Sequence, residues 1–442
     1  MRCICASVLA ATAAAASAAW PVFRADSSRS GVASFAARAA GRMRQVFFAQ
    51  PLASGVEGGL SSPLLGAGTL LYADVCGGVH MYSTAAESSN ASSPLWTFST
   101  GAGCGGGFSA ALSGAGAGAV VVAVAGDAGV FALRADTGEL LWRYSEAPDV
   151  SFRGEPLFVA VRGLVSVATN DPASPVYHLN VSTGDLVMTT SFDPDSAVCL
   201  ASDLALGSWE GEIYSFYTAC GVEDSSNLML RIHLDTGAAD SMDGFGDTGA
   251  HPPIFVADAS RDPVHSIAYD LSDGVLGGIY VGTVDAAGAC YCGSEDFAGM
   301  ALAAPSAGRP DVLPPLFAAS NPTSATVAFF TPAPPPQLRQ PRAQTLPACA
   351  LNASAVLKTA AGRPAMLTDA LPTVDARGRV FLADMQGNLF MVTRAGGTAT
   401  ADLIWTSPTG QPVFGEVVID ATGALFFADY AGAVYGVVGA AE

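Results

Sequence analysis

Short apolar runs of about five residues alternate with turns rich in Gly, Asp and Thr along most of the chain. This pattern is typical of β-strands joined by tight turns. The clearest repeat lies near the C-terminus, where DARGRVFLADMQGNLFMV begins at Asp375 and DATGALFFADYAGAVYGV begins at Asp420, 45 residues later, with 8 of 18 positions identical. Each copy predicts turn, strand, turn, strand, because the Asp of Asp-x-x-Gly bonds its own turn backbone and Gly accepts a positive φ.

The second strand of this unit recurs through the chain as an apolar residue followed by a ring or another large side chain. It begins at Val79, Val130, Val176, Met229, Cys290, Leu389 and Val434, in steps of 51, 46, 53, 61, 99 and 45 residues. The step of 99 spans two periods and implies one degenerate copy. Pro315-Leu-Phe317 lies in that gap and resembles the Pro that opens the first strand of other units, so the sequence predicts eight units.

An outer strand follows a Thr-Gly turn in several units. The turns are Asp136-Thr-Gly138, Ser182-Thr-Gly184 and Asp235-Thr-Gly237, and the strands after them carry Trp142 or Met188. Four short strands per unit of 40 to 50 residues are typical of a propeller blade. We therefore predict an all-β fold, an eight-bladed β-propeller of four-stranded antiparallel blades.

The two ends of the repeat array complete each other in this prediction. The last copy stops at Val438, before its outer strand, and Arg44-Gln-Val-Phe-Phe48 is a strand-like segment without a unit of its own. We expect this N-terminal strand to close the ring, because an open propeller leaves unpaired edges. Residues 305–347 hold 11 of the 27 prolines and are interpreted as loops inside a degenerate blade. If the segment is entirely an insertion, the propeller has seven blades.

Residues 1–19 have the composition of a cleaved secretory signal. Met1-Arg2 precedes an apolar stretch, and Ser17-Ala-Ala19 has the small-x-small pattern of a cleavage site. Residues 20–442 then form a single propeller domain, secreted or held in the secretory pathway. No other run reaches the length of about 20 residues that spans a bilayer, so we expect no integral membrane segment.

Charge excludes one broad class of partner. The chain carries −19 at neutral pH, and Lys358 is its only lysine. Proteins that bind nucleic acids or anionic membranes neutralise phosphates with many Lys and Arg side chains. We therefore expect no nucleic-acid partner.

Seven cysteines remain after the signal: Cys76, Cys104, Cys199, Cys220, Cys290, Cys292 and Cys349. In an oxidising compartment, proximity in sequence favours Cys76 with Cys104, Cys199 with Cys220, and Cys349 with Cys290 or Cys292, with one left over. The spacing of Cys290 and Cys292 is too short for a zinc knuckle, so no metal site is predicted.

Three sequons are candidate glycosylation sites, at Asn90, Asn180 and Asn352. We expect each of them to lie between strands, where the transferase reaches the chain. Glycosylation of this kind would make the exported protein a glycoprotein.

The segment GDAGVFALRADTGELLWRY, residues 126–144, resembles the repeat of the pyrroloquinoline-quinone-like (PQQ-like) β-propellers. Trp20-Pro-Val-Phe-Arg-Ala-Asp26 is similar to the opening segment of that family. The family includes quinone-dependent dehydrogenases and non-catalytic propellers that bind or scaffold. The resemblance implies, for the dehydrogenases, a quinone in the central channel with calcium, a base Asp and, in alcohol-oxidising members, a disulfide between adjacent cysteines. This chain has no Cys-Cys dipeptide.

The acids of the repeated turns are the remaining candidates for a site. Equivalent positions are occupied by Asp74, Asp285, Asp384 and Asp429. One interpretation is a ring of carboxylates that gathers cations, and the favoured one is that each Asp bonds the backbone of its own turn. The rings at Tyr177, Tyr291, Phe390 and Tyr435 are interpreted as core between blades, and His80 as a core residue with a polar partner.

These patterns favour a binding or scaffold protein with no catalytic, cofactor or metal site. Its partner would be a protein or glycan held at one propeller face, and we expect a monomer. The alternative is a PQQ-dependent oxidoreductase, with calcium, that acts on alcohols or sugars.

Overall fold

The structure is a computed structural model. It describes residues 33, 35–39, 43–50, 61–84, 93–104, 108–114, 118–146, 150–169, 176–190, 199–200, 204–209, 212–220, 227–241, 283–284, 290–291, 299–303, 316–321, 324–331, 350–367 and 370–439. The chain forms two compact units: Met1–Ser27, Ala33–Thr189 and Gln411–Glu442 make the first, and Ser28–Val32 and Thr190–Gly410 make the second. The predicted signal sequence, residues 1–19, lies outside the described residues, and the prediction of one domain over residues 20–442 stays a prediction.

The first unit consists of antiparallel sheets built from strands that follow one another in sequence. Its strands are β1 (Met43–Ala49), β2 (Leu64–Leu65), β3 (Thr69–Ala73), β4 (Gly78–Ser83), β5 (Trp96–Ser99), β6 (Phe108–Leu112), β7 (Val120–Ala125), β8 (Val130–Arg134), β9 (Leu140–Tyr144), β10 (Phe152–Val159), β11 (Leu164–Thr169), β12 (Val176–Asn180), β13 (Leu186–Thr189), β30 (Val413–Ile419), β31 (Leu425–Asp429) and β32 (Val434–Gly439). A single 3-10 turn, Ala160–Arg162, joins β10 to β11 among these residues. Strands β2 to β5, β6 to β9 and β10 to β13 each form a four-stranded sheet in sequence order.

Both faces of the sheet of β6 to β9 are apolar, because it packs between two other sheets. Leu71 and Val79 of the first sheet lie in one buried cluster with Val121 and Leu133 of the next. On the other face of that second sheet, Val122 and its neighbours pack against the sheet of β10 to β13. Strands buried on both sides read as continuous apolar runs, and VVVAVA in β7 is the best example.

The predicted closure by the N-terminal strand is confirmed. Strand β1 pairs antiparallel with β32, from Met43 opposite Gly439 to Ala49 opposite Val434, and β32 is followed in the sheet by β31 and β30. Phe47 fixes the position of this strand, since its ring makes edge contacts with Tyr82 and Phe426, both at 5.8 Å between ring centroids. A segment from the start of the chain therefore supplies the outer strand of the last sheet.

The second unit is also all β. Its strands are β14 (Cys199–Leu200), β15 (Ala205–Trp209), β16 (Glu212–Cys220), β17 (Asn227–His233), β18 (Ala239–Ser241), β19 (Thr283–Val284), β20 (Cys290–Tyr291), β21 (Gly299–Ala303), β22 (Leu316–Asn321), β23 (Thr326–Thr331), β24 (Ala350–Val356), β25 (Ala370–Leu371), β26 (Thr373–Val374), β27 (Val380–Ala383), β28 (Asn388–Ala395) and β29 (Thr398–Thr406). Strands β21 to β24 and β26 to β29 form four-stranded sheets that share a buried apolar cluster.

The Pro-rich segment belongs to a sheet, as expected of a degenerate blade. Strands β21 to β24 run from Gly299 to Val356. The connections between β21 and β22 and between β23 and β24 contain most of the prolines of residues 305–347. One detail of the prediction is wrong: Pro315 precedes the second strand of this sheet, not the first, because Gly299–Ala303 is the first.

The all-β, four-stranded antiparallel fold class is confirmed. Over the part of the chain that the structure describes, the strands form eight sheets, but the fifth in sequence consists only of the two short strands β19 and β20. The number of blades, eight or seven, therefore stays a prediction.

Neighbouring sheets in the first unit are joined at their rims by tryptophan. Trp142 on β9 donates its indole N–H to the carbonyl of Val181, 2.8 Å away, in the Thr-Gly turn of the next sheet. In the preceding sheet, Trp96 on β5 makes the same type of bond, at 3.0 Å, to the carbonyl of Ala135, which lies between β8 and β9. In each case the turn glycine has a positive φ and lies against the ring, so a Cβ on Gly184 would lie 2.6 Å from Trp142 Cδ2. The Thr-Gly turns at Gly138 and Gly184 therefore contact the tryptophan rings on the outer strands of the preceding sheets.

Candidate functional site at the Asp-x-x-Gly turns

Three equivalent turns join the second strand of a sheet to its third, and each begins with a buried Asp. Asp74 follows β3, Asp384 follows β27, and Asp429 ends β31. One carboxylate oxygen of Asp74 accepts the backbone N–H groups of Cys76 and Gly78, at 2.8 and 2.9 Å. This bonding fixes the turn, because it satisfies amide groups that the strand ladder leaves unpaired.

The other two turns repeat this geometry. Asp384 accepts the N–H groups of Gln386 and Asn388, at 2.9 and 2.8 Å. Asp429 accepts the N–H of Ala433 at 2.9 Å. The interpretation that these acids bond their own turns is confirmed for the three, and Asp285 lies outside the described residues.

The second oxygen of each carboxylate accepts a bond from a side chain of the following strand. The donors differ: His80 Nε2 lies 2.6 Å from Asp74, Asn388 Nδ2 donates to Asp384 at 3.0 Å, and Tyr435 OH donates to Asp429 at 3.1 Å. His80 and Tyr435 lie six residues after their Asp. The equivalent residue in the third turn is Phe390, which has no polar group, so Asn388, four residues after the Asp, takes the role.

The turn at Asp74 also shapes the electrostatics around it. Burial works to raise the pKa of Asp74, but bonds from His80 and from the backbone of Gly78 and Cys76 outweigh it, so the pKa lies below its ordinary value. Burial, with the charge of Asp74, raises the pKa of Tyr82 to about 12. The carboxylate is therefore charged, and the nearby phenol is neutral, at neutral pH.

Residues between the Asp and the Gly form the tip of each turn. Val75 and Met385 are half-buried, and Tyr430 is exposed at 36%. Backbone bonds hold two of these tips in place: Met385 N–H donates to the carbonyl of Met366, and Tyr430 N–H donates to that of Pro412, both at 2.8 Å. The tips are apolar or aromatic groups on a rigid frame.

A disulfide holds the third tip. Cys76 and Cys104 are bonded, which confirms the predicted pair and ties the turn to the segment between β5 and β6. The backbone places Cys199 opposite Cys220, in the pair between β14 and β16, although their bond stays a prediction. Cys292 and Cys349 lie outside the described residues, so the pairing of Cys290 with either cysteine is untested.

The opposite ends of two sheets carry turns of the same type. Asp375 accepts the N–H groups of Arg377 and Arg379, both at 2.9 Å, and Arg379 also donates its guanidinium to the second oxygen. Asp420 accepts Thr422 and Ala424 in the same way. Asp-x-x-Gly therefore forms the same kind of turn at both ends of these sheets, and the turns differ in the residues at their tips.

Three of the four rings that were expected in the core lie there, and the side chain of the fourth, Tyr291, lies outside the described part of the structure. Phe390 is fully buried, and Tyr177 and Tyr435 are nearly so. Tyr177 belongs to the cluster between two sheets of the first unit, and Tyr435 stacks on Phe427 at 5.8 Å. His80 is buried against Asp74, which confirms the interpretation of a core residue with a polar partner.

The turn carboxylates do not fit a calcium or quinone site. Calcium requires several carboxylate, carbonyl or amide oxygens around one point. At Asp74, Asp384 and Asp429 both oxygens already accept bonds from the same sheet. Among the residues that the structure describes, no three His, Cys, Asp or Glu side chains form a metal-binding group.

The predicted sequons differ in their surroundings. Asn90 lies outside the described residues. Asn180 is the last residue of β12 and opens an exposed turn. For Asn352 the expectation of a position between strands is wrong, since it lies within β24, at an irregularity between the pairs Phe329–Ala353 and Phe330–Leu351.

Sequence reasoning missed the turn tips Val75, Met385 and Tyr430. They occupy the position directly after the Asp, where most turns carry a small or polar residue, and that position is the signal that identifies them.

Comparison with known proteins gives a family for part of the chain. A family model described as the outer membrane protein assembly factor BamB matches residues 28–198. No curated protein matches the sequence. Across the described residues, no helix has the length and apolar character to cross a membrane.

Similar solved structures include BamB from Moraxella catarrhalis, 14% identical, covering 90% of this chain and 99% of that one, with a TM-score of 0.45. A europium-containing methanol dehydrogenase is 12% identical, with coverage of 93% and 89% and a TM-score of 0.45. The quinohemoprotein alcohol dehydrogenase ADHIIG from Pseudomonas putida HK5 is 11% identical, with coverage of 98% and 82% and a TM-score of 0.48.

The family match and the repeated four-stranded sheets agree with the resemblance found in residues 126–144, which lie inside the matched segment. Residues 28–198 therefore match the PQQ-like repeat family, and the repeats of the chain are similar to those of PQQ-like β-propellers.

Proposed function

We propose that the protein is an exported binding or scaffold module that holds a protein ligand at the tips of the Asp-x-x-Gly turns of its first unit, Val75 and Tyr430. The observation that carries the proposal is the pairing of rigid turns with apolar tips. Each turn is fixed by bonds to a buried Asp, and the tip residues Val75 and Tyr430 are exposed in part. Aromatic residues and Met are enriched in protein interfaces.

Rigidity favours binding over catalysis at these turns. A tip that is already ordered loses little conformational freedom when a partner docks, so more of the contact energy appears as affinity. The carboxylates below the tips stabilise the turns, since both oxygens of each accept hydrogen bonds from the same sheet.

Two further observations support the proposal. The matched family model is named for an assembly factor, which is a binding role. The Cys76–Cys104 disulfide supports a location outside the cytosol, where such bonds persist. A signal sequence in residues 1–19 would deliver the chain there, and we propose secretion on these grounds.

The test uses a photo-crosslinking amino acid at Tyr430 in the secreted protein, with Thr422 as the matched control. Thr422 is exposed, lies in the same sheet, and belongs to an Asp-x-x-Gly turn at its other end. We expect a discrete protein adduct from position 430 in the native secretory compartment and none from position 422. For the partner so identified, Y430A would weaken binding about 10-fold, as expected for an aromatic anchor.

Equal adducts from both positions would contradict the proposal. A calorimetric titration with PQQ and calcium tests the alternative enzyme. Saturable binding near one quinone per chain would replace the scaffold proposal with the oxidoreductase, and substrates would then be sought among alcohols and sugars.

A further inference from the structure

Two neighbouring outer strands of the first unit expose pairs of large apolar side chains. In β9 these are Leu140 and Leu141, exposed at 45% and 41%, and in β13 they are Leu186 and Val187, at 41% and 54%. Both strands lie at the edge of their sheets in the described fold. Exposed apolar residues on an edge strand favour association with another edge.

The same irregularity produces both pairs. The register of β9 against β8 shifts between Trp142 and Leu140, and that of β13 against β12 shifts between Met188 and Leu186. Leu141 and Val187 are the extra residues of the two bulges. A bulge interrupts an edge ladder, which limits strand pairing but leaves the apolar surface in place.

The turn from Asn180 to Gly184 is connected to both apolar pairs, that of β9 and that of β13. Trp142, the neighbour of Leu141, contacts this turn through its bond to Val181 and its contact with Gly184. Leu186 lies two residues after Gly184, and Leu179 pairs with it across the sheet.

The sequon Asn180-Val-Ser182 occupies this turn in a conformation suited to modification. Asn180 Oδ1 accepts the backbone N–H groups of Ser182 and Thr183, at 2.8 and 3.2 Å. The side chains of Ser182 and Thr183 are exposed. The amide Nδ2, which is the atom that receives a glycan, has no hydrogen bond to any residue that the structure describes here.

We propose that Asn180 carries an N-linked glycan whose inner sugars cover the apolar pairs of β9 and β13 and prevent association with a second copy of this chain. In the transfer, a bond forms between Nδ2 and the sugar C1 while the C1–O bond to a lipid-linked pyrophosphate donor breaks, and the amide proton is lost. The proposal requires export, which the Cys76–Cys104 disulfide supports.

The decisive variants are S182A, which removes the sequon, and S182T, which keeps it. Neither changes the turn bonds, because Asn180 accepts the backbone N–H of Ser182 and not its hydroxyl. The full-length proteins are secreted from eukaryotic cells and treated with a glycosidase in heavy-oxygen water. We expect peptide mass spectrometry to find labelled aspartate at position 180 in the wild type and S182T, but not in S182A.

Oligomeric state is then measured by light scattering during gel filtration. We expect S182A to form dimers or larger species at concentrations where the wild type and S182T are monomers. Adding L186S and V187S to S182A should restore the monomer. The control S354A removes the Asn352 sequon in the other unit and should leave the wild-type monomer unchanged.

Three results would overturn the proposal: an unmodified Asn180 in secreted wild type, a monomeric S182A with unchanged binding of an apolar dye, or association of S354A as well. If S182A is not secreted, the folded wild type is trimmed enzymatically to one sugar, and the same change in oligomeric state is expected.

Discussion

Replacement of Gly184 by Ala tests whether the rim contact between Trp142 and the Thr-Gly turn stabilises the fold. Gly184 has a φ of +75°, and a Cβ there would lie 2.6 to 2.9 Å from three atoms of the Trp142 ring. Ordinary carbon contacts lie near 3.5 to 4.0 Å, so the ring must move. The ring is nearly buried and is held by its bond to Val181.

The cost has two parts that a control separates. A positive φ costs an L-residue about 1 to 2 kcal/mol. Displacing the ring loses the indole hydrogen bond, about 1 kcal/mol, and part of its packing, where complete loss of a Trp costs about 3 to 5 kcal/mol. We therefore expect G184A to lower the free energy of unfolding by about 3 kcal/mol.

G163A is the matched control in the same sheet. Gly163 also has a positive φ, +64°, but a Cβ there would meet nothing within 4 Å. We expect it to cost only the backbone part, about 1 to 2 kcal/mol. Urea unfolding, followed by far-UV circular dichroism, gives both values from the midpoints and slopes.

A double variant completes the test. In a W142A background the ring is absent, so G184A should cost no more than G163A, and the coupling between the two sites should exceed about 1 kcal/mol. Equal costs of G184A and G163A in the wild-type background would refute the reasoning, because the ring contact would then contribute nothing.

Other parts of the fold give predictions of the same kind. Burial lowers the pKa of His178 to about 4, so below pH 6.5 the unfolded chain binds a proton that the folded chain does not bind. The free energy of unfolding should therefore fall by about 3 kcal/mol between pH 6.5 and 4. Urea titrations should show this pH dependence in the wild type and not in H178N. Reduction of the Cys76–Cys104 bond, which closes a separation of 28 residues, should cost about 3 to 4 kcal/mol, and the C76A/C104A variant should then be insensitive to dithiothreitol in thermal unfolding. F47A should cost about 3 to 5 kcal/mol, because the ring is buried between two others; a loss below 1 kcal/mol would mean that β1 is not needed to complete its sheet.

The sequence predicted the all-β class and the four-stranded sheets because its turns are chemically marked. Asp-x-x-Gly and Thr-Gly predict turns locally, and apolar runs between them can only be strands. The closure by β1 also followed from sequence, since a missing fourth strand and an unassigned strand-like segment match each other. The side-chain partners of the turn acids could not be predicted, because they depend on which residue of the next strand points back to the turn.

Register was the part of the prediction that failed. Asn352 looked like a loop residue, yet it lies in β24 at an irregularity that no local pattern marks. Trp405 resembles Trp142 in sequence, but it pairs with Leu389, the equivalent of Val130, whereas Trp142 pairs with Ala132. A bulge adds one residue to a strand and thereby shifts every later pair, and its position depends on packing between sheets.

The pairing of β1 with β32 has a consequence for synthesis. Met43 pairs with Gly439, so nearly 400 residues must be made between the two partners. At about 5 to 20 residues per second, β1 waits roughly 20 to 80 s for its neighbour. During that interval the apolar face of Phe47 has no permanent cover, and the last sheet cannot form however fast the others fold. Until the residues of β32 have been synthesised, β1 has no partner strand in the last sheet.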